Sequence, residues 1–483
     1  MEQLIARDLQ NDTIIAVSTP QGTGGIAVIR ISGPSAISTA DSAWKGKSLS
    51  GAASHTVHLG RLISTEGETL DEAVATIFRA PSSFTGEDVV ELSVHGSRWI
   101  QREVVADFVR RGVRVAEPGE FTKRAFLNGK LDLAQAEGVA DLIASSSRAA
   151  HSLAISQTRG AFSNEFNNLR DRLIEFASLL ELELDFSEED VEFADRANLL
   201  KLAGNIIAKL KRLSASFSTG AAIKDGVPVV IAGIPNAGKS SVLNLLLSDD
   251  KAIVSDIPGT TRDTIEDTIE LNGILYRFID TAGLRDTSDT VESLGIDRAR
   301  RKMRQAQIVI WVFDPTSPLA PQLAEYNSFV SDSPSTKTIP LLNKSDLSVD
   351  SNLLNKSDLL NKSNLSHVVE SLGEPPLLHF SATTGEGLNT LLSSIHDLAL
   401  DGFNPETDTI VTNARHYEAI LRGINALTRA ASSLTSGTSS IPVSADFIAQ
   451  DIREAIHHLS SITGEISSTT LLHSIFSRFC IGK

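Results

Sequence analysis

Apolar and polar positions fall into four stretches with different rhythms. In residues 1–125, short β-branched runs alternate with polar breaks. Residues 11–17, 25–32, 71–78 and 88–95 read as strands, and residues 99–110 as a helix. The glycine-rich link at residues 20–25 leads from one strand into another, so it reads as a turn and not as a dinucleotide loop. In residues 126–222 glycine thins out and the period lengthens. Leu169, Leu173, Phe176 and Leu180 recur at spacings of four, three and four, which is one face of a helix. In residues 223–398 buried strands alternate with helices. The strands fall at 227–231, 276–279, 308–313, 338–342 and 377–380, the mark of a parallel sheet. Residues 399–483 are helical again. With helical sequence on both sides, the simplest architecture inserts an α/β domain into a helical one, behind an α+β N-terminal domain.

Composition narrows the class. At 483 residues the chain suggests about three domains. Its net charge of −16 makes general affinity for nucleic acid or anionic membrane unexpected, so an RNA partner would need a local basic patch. No apolar run reaches membrane-spanning length. The N-terminus has neither a signal-peptide core nor an Arg-rich, acid-poor transit character. The single cysteine, Cys480, cannot close an internal disulfide, and a reducing cytoplasm fits.

The chemistry centres on residues 233–241, GIPNAGKSS, which fit the phosphate-loop pattern G-x-x-x-x-G-K-[ST]. An apolar strand precedes the loop and a helix follows it, the context that the chemistry needs. Gly233 and Gly238 let the backbone curl its N–H groups toward phosphate oxygens, and the helix N-terminus adds partial positive charge. Lys239 would reach the β- and γ-phosphates and Ser240 would hold Mg²⁺.

A phosphate loop does not choose the base. Asn343, Lys344, Ser345 and Asp346 do, at the end of a buried strand, because a carboxylate there accepts from both guanine N1–H and N2–H₂. The tetrapeptide recurs at residues 355–358 and, without its acid, at 361–364. The first copy is assigned because it follows the longest strand-like run; the second competes with it. Ser381 and Ala382, after the last strand, would meet the guanine O6 through backbone. Asp280, Thr281, Ala282 and Gly283 end another strand, where the carboxylate would reach Mg²⁺ through water and the glycine N–H would sense the γ-phosphate. Residues 259–263, GTTRD, supply a threonine for the Mg²⁺ shell. Leu284 stands where a Ras-like enzyme carries the glutamine that orients water, so hydrolysis needs another water-positioner and another source of positive charge.

These strings, with DIPGTTRD, DTAGLRDTSDTVE, the N-terminal SFTGEDVVELSVHG and PGEFTKRAFLNGKLDLAQAEGVADLI, and the terminal FCIGK, resemble the MnmE (TrmE) family of bacterial tRNA-modification GTPases over essentially the whole chain. The GTPase motifs are shared with many relatives; FCIGK and the long N-terminal strings are specific. A ribosome-assembly GTPase with a similar G domain is the alternative, and those same strings argue against it.

The resemblance implies an N-terminal folate-binding and dimerisation domain at 1–125, a helical domain at 126–222 and 399–483, and an inserted Ras-like G domain at 223–398. It implies a homodimer that works with the flavoprotein MnmG (GidA), in a heterotetramer or larger complex, on the wobble uridine of tRNA. FAD would come only through that partner. A tetrahydrofolate derivative, 5-formyl- or methylene-tetrahydrofolate, would supply one carbon toward a 5-carboxymethylaminomethyl or 5-aminomethyl group. K⁺ would replace an arginine finger, held by Asn236, Ser255, Ile257 and Thr260, with Mg²⁺ on Ser240 and Thr261. The implied GTP site also includes Ala237, Gly238, Ser241, Asp256, Pro258, Gly259 and Thr383. Lys239 and Glu292 would be catalytic, the second orienting water; taken alone, Glu292 reads as a surface glutamate. The implied folate site is Arg30, Glu87, Lys130 and Lys483, with cations for glutamyl carboxylates and Glu87 for the pterin's N–H groups. Cys480 reads either as chemistry near that site or as apolar packing.

Overall fold

Strands β1 (Ile14–Val17) and β2 (Ile26–Ser32) open the fold in the computed structural model, which describes residues 12–185, 196–248, 253–254, 266–279, 302–348, 376–436, 445–465, 469–477 and 479–482. They join β3 (Trp44–Gly46), β4 (Thr56–Ile63), β5 (Thr69–Phe78), β6 (Val89–His95) and β7 (Arg114–Val115) in a sheet of order β3-β4-β5-β6-β2-β1-β7. Every pairing is antiparallel except β1 with β7. This sheet belongs to the first of two compact units, Met1–Ile143, Ile155–Ala203 and Asn425–Lys483; the second is Ala144–Ala154 and Gly204–Ile424.

Period-two alternation decides which face of the first sheet is covered. Ala27, Ile29 and Ile31 of β2 and Val90, Leu92 and Val94 of β6 point to one side. There they pack with Val104 and Phe108 of helix Arg98–Arg110 and with Ile37 and Ala40 of helix Ala36–Ser42. At about 1.5–3 kcal/mol per buried large side chain, this layer holds the unit together. The intervening residues, Arg30 and Ser32 on β2 and Glu91 on β6, share the opposite face. In the same unit the expected stripe Leu169, Leu173, Phe176 and Leu180 is buried on helix Ala161–Asp185, which packs along helix Ala445–Thr463.

An ion network closes the edge of that sheet. Arg114 Nε donates to Asp12 Oδ2 at 2.6 Å and its Nη1 to Glu120 Oε2 at 3.0 Å. Arg124 Nη2 donates to Asp12 Oδ1 at 2.6 Å and to Glu120 Oε1 at 3.0 Å. Burial pushes the Asp12 and Glu120 carboxyls up, but the arginine bonds outweigh it and both end below their ordinary values. Depressed carboxylates stabilise the fold above their unfolded pKa, about 4, and lose that contribution as pH falls through the folded values. Glu120→Gln removes one of three carboxylates around Arg124, which keeps Asp12 and Glu87. It should cost about 1.5–3 kcal/mol at pH 7, the loss of a charge-assisted bond, and flatten the fall of the melting temperature between pH 7 and 3. An equally steep fall in the variant would remove Glu120 from the pH dependence.

The second unit carries β8 (Val227–Ala232), β9 (Ile253–Val254), β10 (Glu266–Leu271), β11 (Ile274–Ile279), β12 (Ile308–Phe313), β13 (Lys337–Leu342) and β14 (Leu378–His379). Their order is β14-β13-β12-β8-β11-β10-β9, parallel from β14 to β11 and antiparallel at β10 and β9. All six residues of β12 are buried because apolar layers lie on both faces. Ile308, Ile310 and Val312 meet Val242 and Leu246 of helix Lys239–Ser248 and Leu391 and Ile395 of helix Leu388–Leu400. Trp311 and Phe313 meet Tyr326 and Phe329 of helix Leu319–Asp332. Strand order reverses at β8, which has β12 on one side and β11 on the other. The crevice at the carboxyl ends of such strands is where a doubly wound sheet takes its ligand.

Candidate functional site

The carboxyl end of β8 runs directly into the phosphate loop, residues 233–238, and helix Lys239–Ser248. Gly233 has φ 138°, and a Cβ there would stand 2.3 Å from the Val312 carbonyl oxygen of the neighbouring strand. Gly238 has φ 91°, and its Cβ would stand 2.3 Å from Asn343 Nδ2. Both glycines are therefore required by close approach as well as by φ. Asn236 holds a left-handed φ of 65° at the exposed tip of the loop. Lys239 Nζ donates to the Gly233 and Ile234 carbonyl oxygens, each at 2.8 Å, which folds its side chain over the loop. Burial lowers the Lys239 pKa, only partly opposed by Glu325. A desolvated ammonium above curled backbone N–H groups is suited to phosphate. Ser240, exposed in the first helical turn, and Asn236 make no side-chain hydrogen bond to another described residue. Their oxygens are thus available to hard cations.

The segment predicted to read the base follows β13. Asn343 is 2% exposed and joins three loops. Its Nδ2 donates to the Ala237 carbonyl oxygen at 2.8 Å, and its Oδ1 accepts from Ala382 N–H at 3.1 Å. Lys344 has φ 59°, and its Nζ lies 2.7 Å from Asp314 Oδ2, beyond the end of β12. Burial pushes the Asp314 carboxyl up; bonds from Lys344 and Thr316 outweigh it and hold the group below its usual range. Asp346 Oδ1 accepts from Ser381 Oγ at 2.7 Å, and Ser381 Oγ in turn accepts from Thr383 and Thr384 N–H at 3.3 and 3.2 Å. Ser345 N–H donates to the Phe380 carbonyl oxygen at 3.1 Å. Residues 233–241, 343–346 and 381–383 are thus brought together at the carboxyl ends of β8, β13 and β14. Residues 255–261, 280–283 and Glu292, and the second and third Asn-Lys-Ser copies, lie outside the described residues.

Arg30, Glu87 and Lys130 occupy one region of the first unit. Arg30 Nε and Nη2 lie 2.9 and 2.7 Å from Glu91 Oε1, and its guanidinium stands 5.6 Å from the ring centres of both Phe84 and Phe121. Ser32, two residues on and on the same face, donates to Glu87 Oε2 at 2.7 Å. Lys130 Nζ donates to the Pro81 carbonyl oxygen at 3.0 Å. Asn128 Nδ2 donates to the Thr85 carbonyl oxygen at 2.7 Å, which ties the segment before Lys130 to the one before Glu87.

The chain end returns to this unit. Ile481 bridges Pro118, and the Cys480 carbonyl oxygen accepts from Gly119 N–H at 3.3 Å. The Gly482 carbonyl oxygen accepts from Ser18 Oγ at 3.2 Å. Gly482 has φ 95°, and a Cβ on it would lie 2.4 Å from the Val17 oxygen. Val17 pairs with Ile29, next to Arg30. Cys480 is exposed, and Lys483 lies outside the described residues.

Two family models match this chain: the GTP-binding protein TrmE N-terminus over residues 13–130 and the MnmE helical domain over residues 133–480. The tRNA modification GTPase MnmE of Parabacteroides distasonis is 48% identical over 98% of this chain and 100% of its own length. The MnmE proteins of Cytophaga hutchinsonii and Bacteroides fragilis are each 47% identical over 98% of this chain, and over 98% and 100% of their own lengths. The chain belongs to the MnmE family of tRNA modification GTPases. Among solved structures it is also similar to the G domain of the T. maritima FeoB iron transporter, at 26% identity over 36% of this chain and 98% of that one, with a TM-score of 0.24. The helical match starts before the phosphate loop and ends after the last strand of the second sheet.

Sequence reasoning missed several residues around both groups. Asp314 anchors Lys344, Glu91 engages Arg30, and Ser32 and Arg124 hold Glu87. A lone acid at a strand end, as at Asp314, was the one available signal; the others depend on contacts between segments distant in sequence.

Proposed function

We propose that this MnmE-family GTPase couples Mg²⁺- and K⁺-dependent GTP hydrolysis to modification of the tRNA wobble uridine. It would act as a cytoplasmic homodimer together with MnmG, which brings FAD, and with a tetrahydrofolate derivative as one-carbon donor. The reading keeps the division into 1–125, 126–222, 223–398 and 399–483. What supports its nucleotide part is Asn343, whose amide bonds to the phosphate loop at Ala237 and to the loop of Ala382 and so ties the two together. No helix among the described residues is long and apolar enough to cross a membrane.

In this reading Lys239 neutralises charge on the β- and γ-phosphates while backbone N–H groups of the loop hold the oxygens. Ser240 and Thr261 would hold Mg²⁺, which would supply charge stabilisation, and Asn236, Ser255, Ile257 and Thr260 would hold K⁺, which would supply the positive charge of a cationic finger. Glu292 orients water where Leu284 cannot. Hydrolysis should be on the order of tenfold or more faster in K⁺ than in Na⁺ at equal ionic strength. Glu292→Ala should lower kcat with GTP affinity nearly intact, since it acts on the water alone. Equal rates in the two salts, measured by phosphate release, would remove K⁺ from the mechanism.

A further inference from the structure

Glu87 is held from below by a buried arginine and two buried hydroxyls. Arg124 Nη1 lies 3.2 Å from Glu87 Oε1 and 3.3 Å from Oε2. The same nitrogen donates to the Asp12 carbonyl oxygen at 2.9 Å, and Nη2 donates to Asp12 Oδ1 and Glu120 Oε1. Arg124 is 2% exposed, so it sits beneath the surface that a ligand could meet. Ser32 Oγ, fully buried, lies 2.7 Å from Glu87 Oε2 and 2.8 Å from Thr85 Oγ1. The carboxylate can only accept, so the Ser32 proton goes to Glu87 and Thr85 donates to Ser32. Glu87 N–H closes the ring by donating to Thr85 Oγ1 at 3.2 Å.

A carboxylate offers about four acceptor directions, and charge-assisted bonds are the strong ones. The arginine and the serine occupy inward directions on both oxygens and fix the plane of the group. The 12% of the side chain that stays exposed leaves outward directions for a ligand. Arg124 is itself fixed, because it sits on the helix Glu120–Leu127, where Glu120 holds it, and is bonded to Asp12 just before β1. A glutamate on an otherwise irregular segment thus inherits the rigidity of a strand and a helix, which is what a preorganised acceptor needs.

We propose that Arg124 and Ser32 are positioning residues that aim Glu87 at paired N–H donors of a planar heterocycle, the pterin end of the folate. Neither residue touches the ligand; both act through Glu87. This inference rests on the folate reading above and goes beyond it by assigning the geometry of the acceptor to two residues outside the predicted site.

The experiment is titration calorimetry of full-length protein with 5-formyl-tetrahydrofolate. The variants are Ser32→Ala, Arg124→Lys and Glu87→Gln, and each of the first two combined with Glu87→Gln, with thermal unfolding on every sample. Ser32→Ala should weaken binding about tenfold, the loss of one hydrogen bond to a charged group. In the Glu87→Gln background the same change should move affinity less than twofold, because nothing remains to be aimed. A merely structural role would give the same loss in both backgrounds, and that result overturns the proposal. Unchanged affinity in Ser32→Ala and Arg124→Lys, with tight binding by the unsubstituted protein, overturns it as well. Absence of binding by the unsubstituted protein overturns the folate reading and this inference with it. If Arg124→Lys fails to fold, the Ser32→Ala pair decides alone.

Discussion

Asp346→Asn should turn the protein from a guanine to a xanthine nucleotide enzyme. The carboxylate belongs to a short 3-10 turn, Ser345–Ser348, and is oriented by Ser381 Oγ at 2.7 Å. With one side of the group fixed, the other would face N1–H and N2–H₂ of a bound guanine. Each charge-assisted bond contributes about 1.5–3 kcal/mol, so losing two costs about 3–6 kcal/mol, or two to four powers of ten in affinity. The amide also places an N–H₂ against the donors of guanine. Xanthine carries an oxygen at C2, which accepts from that same N–H₂. Affinity for xanthosine triphosphate should therefore rise as that for GTP falls. Competition binding of both nucleotides to the single variants Asp346→Asn and Asp358→Asn separates the two copies of the tetrapeptide. A switch in Asp358→Asn without one in Asp346→Asn would move the base-reading site to the second copy.

How much was legible in the sequence followed from how local each cause is. The run at Ile308–Phe313 is apolar at every position because β12 is covered on both faces, and no neighbour is needed to see it. The phosphate loop is legible for a similar reason: its glycines answer to backbone geometry within a few residues. Strand β4 went unread because its apolar Val57 and Leu59 are 64% and 76% exposed while His58 and Gly60 lie less open, which blurs the usual alternation. Strand β10 carries Glu266, Asp267 and Glu270 and owes its place to pairing with β11. Ser32, Glu91 and Arg124 were invisible as site residues because their meaning arises only when β2, β6 and helix Glu120–Leu127 converge on Arg30 and Glu87.

The structure also changes what Arg30 can be asked to do. Its guanidinium is already paired with Glu91 and stands 5.6 Å from two aromatic ring centres, so a glutamyl carboxylate would have to compete with a resident anion. Lys130 is exposed, and its ammonium meets a carbonyl oxygen rather than an acid. In the proposed folate site, Lys130 would then have the first claim on the carboxylates, and Arg30 would offer a flat, partly neutralised surface beside Phe84.

Removing residues 479–483 should abolish tRNA modification, weaken 5-formyl-tetrahydrofolate binding and leave GTP hydrolysis standing. The tail is an added edge on the first unit rather than part of its core. It is held by the bridge from Ile481 to Pro118 and by bonds to Gly119 and Ser18. Two glycines record how closely it lies: a Cβ on Gly119 would meet the Phe479 Cβ at 2.9 Å, and one on Gly482 the Val17 oxygen at 2.4 Å. Val17 and Ala16 pair with Ile29 and Arg30, so the tail reaches the end of β1, the strand paired with the one that carries a predicted folate residue. The lost cation, Lys483, should cost about one charge-assisted bond, roughly tenfold in folate affinity. Phe479 packs on the Leu472 and Phe476 cluster, so its loss also tests whether the last helix stays docked. The phosphate loop and base-reading loops belong to the second unit, whose core contains none of the deleted residues. Calorimetry with the folate, beside a K⁺-stimulated GTPase assay on the same truncated protein, separates the outcomes. Folate affinity equal to that of the full chain would take Lys483 out of the site, and loss of GTP hydrolysis would make the tail a support of the fold.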